Sequence, residues 1–143
     1  MRSLTESAAR QFVQDWYAAR DRHAPVEKQL DFLARNGLVL RFPEMTVRSH
    51  DEFRTWYSDI TARFFDEVHD VQKVDVTLTS PVHAELSTLV RWAARVREPG
   101  TARPSWLSFD TSVTCSLVLQ DGAVRIRTYG IDDMAPMPGS ALL

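Results

Sequence analysis

The sequence contains very little cysteine, and this scarcity excludes two kinds of centre. Of the 143 residues only Cys115 is a cysteine, so no disulfide can form within the chain and no cysteine cluster can hold zinc. The four histidines lack the spacing of metal ligands, and no apolar run approaches the roughly 18 residues of a membrane span. We therefore predict no metal site, no cofactor and no contact with a membrane.

A strong excess of charge of one sign is also missing. The 17 basic and 19 acidic residues leave a formal charge of -2, which argues against a nucleic-acid partner. The start of the chain, "MRSLTESAARQ", lacks the apolar core of a signal peptide. With 44% hydrophobic and 25% charged residues, the composition is typical of a globular protein. We expect one cytoplasmic domain over residues 1–143, with residues 134–143 as a loose tail.

Helical patterns occupy the first 64 residues. A capping-box spacing at Ser3–Glu6 predicts the start of a first helix, and a second helix is predicted from Pro25 to Asn36–Gly37 with Leu33 facing inward. A second capping box at Ser49–Glu52 predicts a third helix. Its apolar stripe consists of Phe53, Trp56, Tyr57, Ile60 and Phe64.

The rest of the chain follows a strand pattern. A short strand is predicted at 38–42, and alternation of apolar and polar residues predicts longer strands from Val68 onward, at 86–96 and at 107–119. Residues 97–104 read as a loop, and Asp121–Gly122 as a tight hairpin turn into a last strand. Helices followed by an antiparallel meander predict an α+β fold in which a curled sheet wraps around helices as a cone.

These segments resemble the nuclear transport factor two-like superfamily, and within it the SnoaL-like group. The resemblance covers about residues 5 to 133 and is carried by "GLVLRFP", "SHDEFRTWYSDITARFFDEVHDV", "VRWAARV" and "LVLQDGAVRIRTYGID". It implies a cone-shaped α+β barrel with three N-terminal helices packed in a strongly curved mixed or antiparallel sheet around a deep apolar pocket. Relatives include isomerases, hydrolases, dehydratases, polyketide cyclases and non-catalytic modules, so the resemblance specifies the fold rather than the reaction.

The positions that match ketosteroid isomerases carry a different chemistry. Their oxyanion-binding tyrosine would fall on Tyr17 or Trp16, but their general-base aspartate falls on Phe42, which cannot accept a proton. Their second oxyanion donor would fall near Cys115, which more often behaves as a small buried apolar residue than as a nucleophile. The resemblance therefore argues against isomerisation by a carboxylate base.

Two other branches match in part. Arg91 matches the arginine of limonene-type epoxide hydrolases, but their two carboxylates would fall near Ala93 and Tyr129. His69 matches the histidine that opens a strand after the third helix in scytalone dehydratase, whose aspartate–histidine pair has no clear counterpart. His69 is then either a donor or acid–base group in the pocket, or a strand-end histidine satisfied by backbone.

The residues around His69 bear on its charge, and the orientation of the last strand has two possible interpretations. The acidic neighbours of His69, which are Asp66, Glu67 and Asp70, favour its protonated form. Strand alternation puts Arg127 and Tyr129 on one face. If that face lines the pocket, Arg127 binds a carboxylate or enolate and Tyr129 donates to a carbonyl; if it is the outer face, both contact solvent or a second subunit.

We predict from these patterns a small-molecule enzyme with an apolar pocket. It would be of the cyclase, isomerase or dehydratase kind, first of all a cyclase or isomerase of polyketide-like metabolism that shapes its substrate without a carboxylate base, with Tyr17, His69 and Arg127 as polar anchors. The predicted substrate-binding residues are Trp16, Phe42, Trp56, Trp92, Cys115 and Tyr129. The alternative is a non-catalytic binding or dimerisation module. In both cases we expect a homodimer formed through the outer face of the sheet.

Overall fold

The computed structural model describes residues 2–97, 99–100 and 102–143. Within these ranges three helices and six strands follow one another, and no helix is long and apolar enough to cross a membrane. The elements are α1 (Glu6–Asp21), α2 (Val26–Leu30), β1 (Val39–Arg41), β2 (Thr46–Val47), α3 (His50–Arg63), β3 (Phe64–Ser80), β4 (His83–Val96), β5 (Ser105–Gln120) and β6 (Ala123–Pro136).

The six strands form one mixed sheet in the order β2-β1-β6-β5-β4-β3. Strands β3 to β6 are an antiparallel meander, whereas β1 pairs in parallel with β6, with Leu40 opposite Tyr129. Strands β2 and β3 are the edges, so the sheet is not closed. The helices pack against one face of the sheet, and the main core lies between the two layers. This arrangement confirms the predicted α+β fold, with an open sheet in place of a complete barrel.

Side-chain caps begin the two long helices. Thr5, and not the predicted Ser3, caps α1, because its Oγ1 accepts a hydrogen bond from the backbone N–H of Ala8 at 3.1 Å. Ser49 caps α3 as predicted, and its Oγ accepts from Glu52 N at 3.1 Å. Each cap satisfies one of the backbone N–H groups that lack a partner at a helix start.

The second helix is shorter than its sequence pattern predicts. It ends at Leu30 rather than near residue 36, although Leu33 is fully buried as expected. Beyond the helix the backbone pairs with β6: Ala34 N donates to Ile126 O, and Ile126 N donates to Phe32 O, both at 2.7 Å. Pairing with a neighbouring strand therefore replaces the helical hydrogen bonds over this segment.

The strands extend further than the sequence predicts. Strand β3 begins at Phe64 instead of Val68, and β6 continues to Pro136. After β6 the chain turns back along β5, where Met137 N donates to Ser108 O at 2.8 Å and Ala141 N donates to Trp106 O at 2.9 Å. Residues 134–141 are therefore held against the sheet by hydrogen bonds rather than loose, whereas Leu142 and Leu143 are largely exposed. In the predicted loop 97–104, Glu98 and Thr101 lie outside the described residues.

Two β-bulges change the direction in which side chains point. In β3 the pairing steps from Phe65 to Val68, with Asp66 at a φ of 51°, and this irregularity turns Glu67 towards the helices. In β6 the pairing steps from Ile126 to Thr128, so Arg127 has no partner opposite it. The predicted hairpin at Asp121–Gly122 is present, with φ values of 52° and 76°.

Candidate functional site

A cavity opens between the helical layer and the sheet. It has about 490 Å³ of empty space, the open mouth included. Its walls are mostly aromatic and apolar, and a few polar groups project into it. The aromatic lining residues are Phe42, Trp56, Phe64, Trp92 and Tyr129, and the charged or titratable ones are Arg20, Glu44, Glu67 and His69.

His69, which lines this cavity, forms a hydrogen-bonded pair with Asp21. The Nδ1 atom of His69 lies 2.5 Å from Asp21 Oδ1, and the backbone N–H of His69 donates to Asp21 Oδ2 at 3.0 Å. Asp21 is the last residue of α1, and His69 lies on β3, so the pair connects helix to sheet. Since an ionised carboxylate only accepts hydrogen bonds, Nδ1 carries a proton and Nε2 keeps its lone pair in the neutral ring.

Burial keeps His69 in this neutral form. Burial lowers the pKa of His69 below its ordinary value of 6.5, and the charge of Arg20 lowers it further, whereas the Asp21 hydrogen bond and the charge of Glu67 oppose the shift. The expectation of a protonated His69 is therefore wrong in direction. Its physical reason is that Asp66 and Asp70 have exposed side chains, so they add little to the field at the buried ring.

Two buried tyrosines lie beside this pair. The ring of Tyr17 stacks on the imidazole of His69 with centroids 4.8 Å apart. The hydroxyls of Tyr17 and Tyr129 are 2.8 Å apart, and burial raises the pKa of both. Both phenols are therefore protonated near neutral pH, and one donates its hydrogen bond to the other.

Glu67 is a buried carboxylate with a partner for each oxygen. Its Oε2 lies 2.5 Å from His23 Nε2, and its Oε1 accepts a hydrogen bond from Trp92 Nε1 at 3.1 Å. His23 follows α1 in a left-handed backbone conformation with a φ of 49°. A second histidine–carboxylate pair therefore lies between the end of α1 and β3, next to the pair formed by His69.

Arg20 is surrounded by aromatic rings. Its guanidinium carbon lies 5.1 Å from the ring centroid of Trp56, 5.5 Å from that of Trp16 and 5.8 Å from that of Phe42. Phe42 and Trp56 stack nearly parallel with centroids 3.7 Å apart. The negative faces of the rings attract the guanidinium, and this attraction offsets part of the cost of burying a charge.

The structure brings most of the predicted site residues to one of two neighbouring cavities. Phe42, Trp56, His69, Trp92 and Tyr129 line the main cavity. Trp16, Tyr17 and Cys115 instead line a smaller, largely apolar cavity of about 250 Å³, which Tyr129 also borders. Burial raises the pKa of Cys115 to about 12, so its thiol stays protonated and is a weak nucleophile near neutral pH.

Arg127 lies away from both cavities. Its side chain is exposed and packs over Gly37, where a Cβ atom would lie 3.1 Å from Arg127 Nε. The β6 bulge breaks the strand alternation at this point, so Ile126 and Tyr129 both face the core while Arg127 faces outward. This placement corrects the prediction that Arg127 anchors a ligand, and it leaves Tyr129 as the inward residue of the two.

Three polar residues of the site were not predicted as site residues: Arg20 and Glu67, which line the cavity, and Asp21, which binds His69. Arg20 and Asp21 extend the buried stripe of α1, each four residues after a buried aromatic, Trp16 and Tyr17 respectively. Charged residues at that spacing on an apolar stripe are the signal that would have identified them. Glu67 precedes His69 by two residues, and the period of a strand places both on one face.

Comparisons with known proteins define the fold class. No family model matches the sequence, and no curated protein matches it at a significant level. Solved structures do match, at identities that show the fold alone. A protein of Novosphingobium aromaticivorans DSM 12444, provisionally assigned as a scytalone dehydratase, has a TM-score of 0.78 at 13% identity, with 96% of this chain and 88% of that chain covered.

Two further structures agree with that fold. The hexachlorocyclohexane dehydrochlorinase LinA-type3 of Novosphingobium barchaimii LL02 gives a TM-score of 0.75 at 11% identity, with 96% and 92% of the two chains covered. A nuclear transport factor 2-like superfamily protein of Salmonella enterica serovar Typhimurium LT2 gives 0.73 at 10% identity, with 90% and 89% covered. The chain therefore has the nuclear transport factor two-like α+β fold, which confirms the resemblance carried by its sequence.

Proposed function

We propose that this chain is a small-molecule enzyme that eliminates a leaving group, such as water or chloride, after His69 removes a proton from a neighbouring carbon. The observation that carries the proposal is that His69 lines an aromatic cavity and is hydrogen-bonded to Asp21. A neutral imidazole held by a carboxylate is the arrangement by which proteins activate a general base.

The chemistry balances within the cavity. The Nε2 lone pair of His69 takes the proton, the electrons of the C–H bond form a carbon–carbon double bond, and the leaving group departs with its bonding electrons. Asp21 keeps Nε2 as the basic nitrogen and stabilises the imidazolium that forms. Where the leaving group is hydroxide, it takes this proton from the imidazolium and departs as water; where it is chloride, the proton passes to solvent. Either transfer restores the neutral ring. A positioned base of this kind contributes typically about 10²–10⁴-fold to the rate.

The comparisons support elimination over ring closure. Two structures of the same fold are named for a dehydratase and a dehydrochlorinase, and both names describe the loss of a small molecule from neighbouring carbons. The sequence had suggested a polyketide cyclase that works by substrate shaping without a carboxylate base. A buried histidine–carboxylate pair favours a proton-transfer reaction, because shaping alone would not require a buried charged group.

The test is a panel of small cyclic substrates with an acidic C–H next to a hydroxyl- or chloride-bearing carbon. Turnover is followed by chloride release or by the absorbance of the new double bond. We expect His69→Gln to lower kcat/KM by about 10²-fold or more on any substrate that turns over. The matched control is His83→Gln, because His83 lies on β4, opposite Ser80, and does not line the cavity.

Equal turnover by the wild type and His69→Gln would overturn the proposed base. Ligands that bind in the cavity with no reaction across the whole panel would favour the non-catalytic binding module that the sequence left open. Loss of activity in His83→Gln as well would point to a general effect on folding, which circular dichroism of both variants would detect.

A further inference from the structure

Arg20 carries a charge that the protein itself does not neutralise by an ion pair. The residue is 8% exposed, and among the described residues no carboxylate oxygen lies within 4.0 Å of its guanidinium. A buried guanidinium normally has a carboxylate partner, because the loss of hydration is otherwise expensive. Arg20 lies in the last turn of α1, where the helix dipole favours a cation. This interaction offsets only part of the cost of burying the charge.

The acidic side chains of the site have hydrogen-bond partners other than Arg20. Both oxygens of Glu67 are bound by His23 and Trp92, and both oxygens of Asp21 are bound by His69. Glu44 is exposed and accepts a hydrogen bond from Trp56 Nε1 at 3.1 Å. Arg20 itself contacts the hydroxyl of Tyr129, and its remaining donor groups, which have no carboxylate partner among the described residues, are the ones left for a ligand in the cavity.

The shape of the site selects the kind of anion. A guanidinium is planar and offers parallel N–H donors that match the two oxygens of a carboxylate. One positive charge balances a monoanion, whereas a phosphate dianion would meet the carboxylates of Glu44 and Glu67, which also line the cavity. The flat faces of Phe42, Trp56 and Trp92 suit a ring attached to that carboxylate.

We propose that Arg20 binds the carboxylate of a small aromatic or cyclic carboxylic acid, so that the cavity takes monoanionic ring compounds. This inference rests on the same cavity as the proposed function and names its substrate class. Arg20 would hold the carboxylate at one end of the cavity while the aromatic walls contact the ring, which leaves His69 to face the ring's substituents.

The test measures binding of benzoate and of its neutral isostere benzamide to the full chain, by calorimetry or tryptophan fluorescence. We expect the wild type to bind benzoate at least about tenfold more tightly than benzamide, because hydrogen bonds between charged groups are the stronger ones. In Arg20→Met the preference for benzoate should disappear while the affinity for benzamide stays the same. Arg20→Lys should keep part of the preference, since it retains the charge but not the planar donors.

Arg127→Met is the matched control, because Arg127 is exposed and packs over Gly37 away from the cavity. Equal affinities of the wild type for benzoate and benzamide would overturn the proposal without the need for any variant. A benzoate preference that persists in Arg20→Met, or that vanishes in Arg127→Met, would assign the anion to another site.

Benzoate has no leaving group to eliminate, so its binding does not depend on the reaction proposed for His69. If benzoate binds through Arg20 but no elimination is found, the carboxylate site stands and the proposed reaction fails. If neutral substrates are turned over through His69 and benzoate shows no preference over benzamide, the reaction stands and the carboxylate site fails.

Discussion

Asp21 holds His69 through two separate hydrogen bonds, one to the ring and one to the backbone. Oδ1 lies 2.5 Å from Nδ1, and Oδ2 accepts from the backbone N–H at 3.0 Å. One carboxylate at the end of α1 therefore fixes both the ring orientation of His69 and the position of β3 against the helix. The chemistry of the candidate base depends on how that helix ends.

The first prediction concerns Asp21→Asn. The hydrogen bond from Asp21 and its negative charge both raise the pKa of His69 against the effect of burial. Replacing the carboxylate with a neutral amide should therefore lower the pKa of His69 further. Titration of the imidazole resonances by NMR measures the shift directly.

Asp15→Asn provides the control for that experiment. Asp15 is an exposed residue of the same helix, and replacing it should leave the pKa of His69 unchanged. A His69 pKa that rises or stays constant in Asp21→Asn would contradict the assigned pairing.

The second prediction concerns stability at acid pH. The folded-state pKa of His69 lies below the unfolded value, so in the unfolded chain the ring binds a proton more readily. Above about pH 6.5 the ring is neutral in both the folded and the unfolded state, so it does not change the free energy of unfolding with pH. As the pH falls below that value the unfolded state gains protons first, and the free energy of unfolding decreases by at most about 1.4 kcal/mol per pH unit for this group.

Urea denaturation of the wild type and His69→Asn, from about pH 7 to about pH 5, tests this sign. Asparagine does not titrate, so the wild type should lose more stability than the variant over this interval. Curves that run parallel, or a wild type that gains stability relative to the variant on acidification, would show that His69 is not held neutral by burial.

The third prediction concerns the hydrogen bond between Tyr17 and Tyr129. The two hydroxyls are 2.8 Å apart and buried, so Tyr17→Phe or Tyr129→Phe leaves the other hydroxyl without this partner. Each single change should cost about 1–3 kcal/mol in the free energy of unfolding. The double variant should cost less than the sum, by about 0.5–3 kcal/mol, because the second change removes a group that is already unsatisfied.

Tyr57→Phe is the comparison for this cycle. The Tyr57 hydroxyl donates to the backbone oxygen of Ala24 at 2.6 Å, which is a separate hydrogen bond. When Tyr57→Phe and Tyr17→Phe are combined, their losses in the free energy of unfolding should therefore add. Strict additivity between Tyr17→Phe and Tyr129→Phe would mean that their hydrogen bond contributes nothing to stability.

Local patterns in the sequence predict the elements of this fold well. The buried stripe of α1, the cap at Ser49 and the turn at Asp121–Gly122 each depend on residues a few positions apart, and each is present. The predicted end of α2 was wrong, because a long-range pairing between residues 32–34 and Ile126 replaces the helical hydrogen bonds there. Such pairing leaves no periodic signal in the helical segment itself.

The candidate site was harder to predict for the same reason. Asp21 and His69 are 48 residues apart, and their contact depends on how α1 packs against β3. The orientation of Arg127 depends on a single extra residue in β6, and this bulge reverses the faces of the side chains that follow it up to a second register shift after Ile131. Alternation predicts faces reliably only in strands whose register has no such shift.

The last prediction concerns assembly. The sequence predicts a homodimer through the outer face of the sheet, and that face exposes two large apolar side chains, Val68 at 53% and Trp106 at 40%. Light scattering should give twice the 16.3 kDa mass of one chain. Val68→Arg places a charge on this face and should shift the mass to that of one chain, because an unpaired charge in an interface is costly. Thr55→Arg, on the exposed side of α3, should leave the dimer intact. A wild-type mass of 16.3 kDa would overturn the dimer, and a dimer that survives Val68→Arg but not Thr55→Arg would place the interface elsewhere than on the sheet.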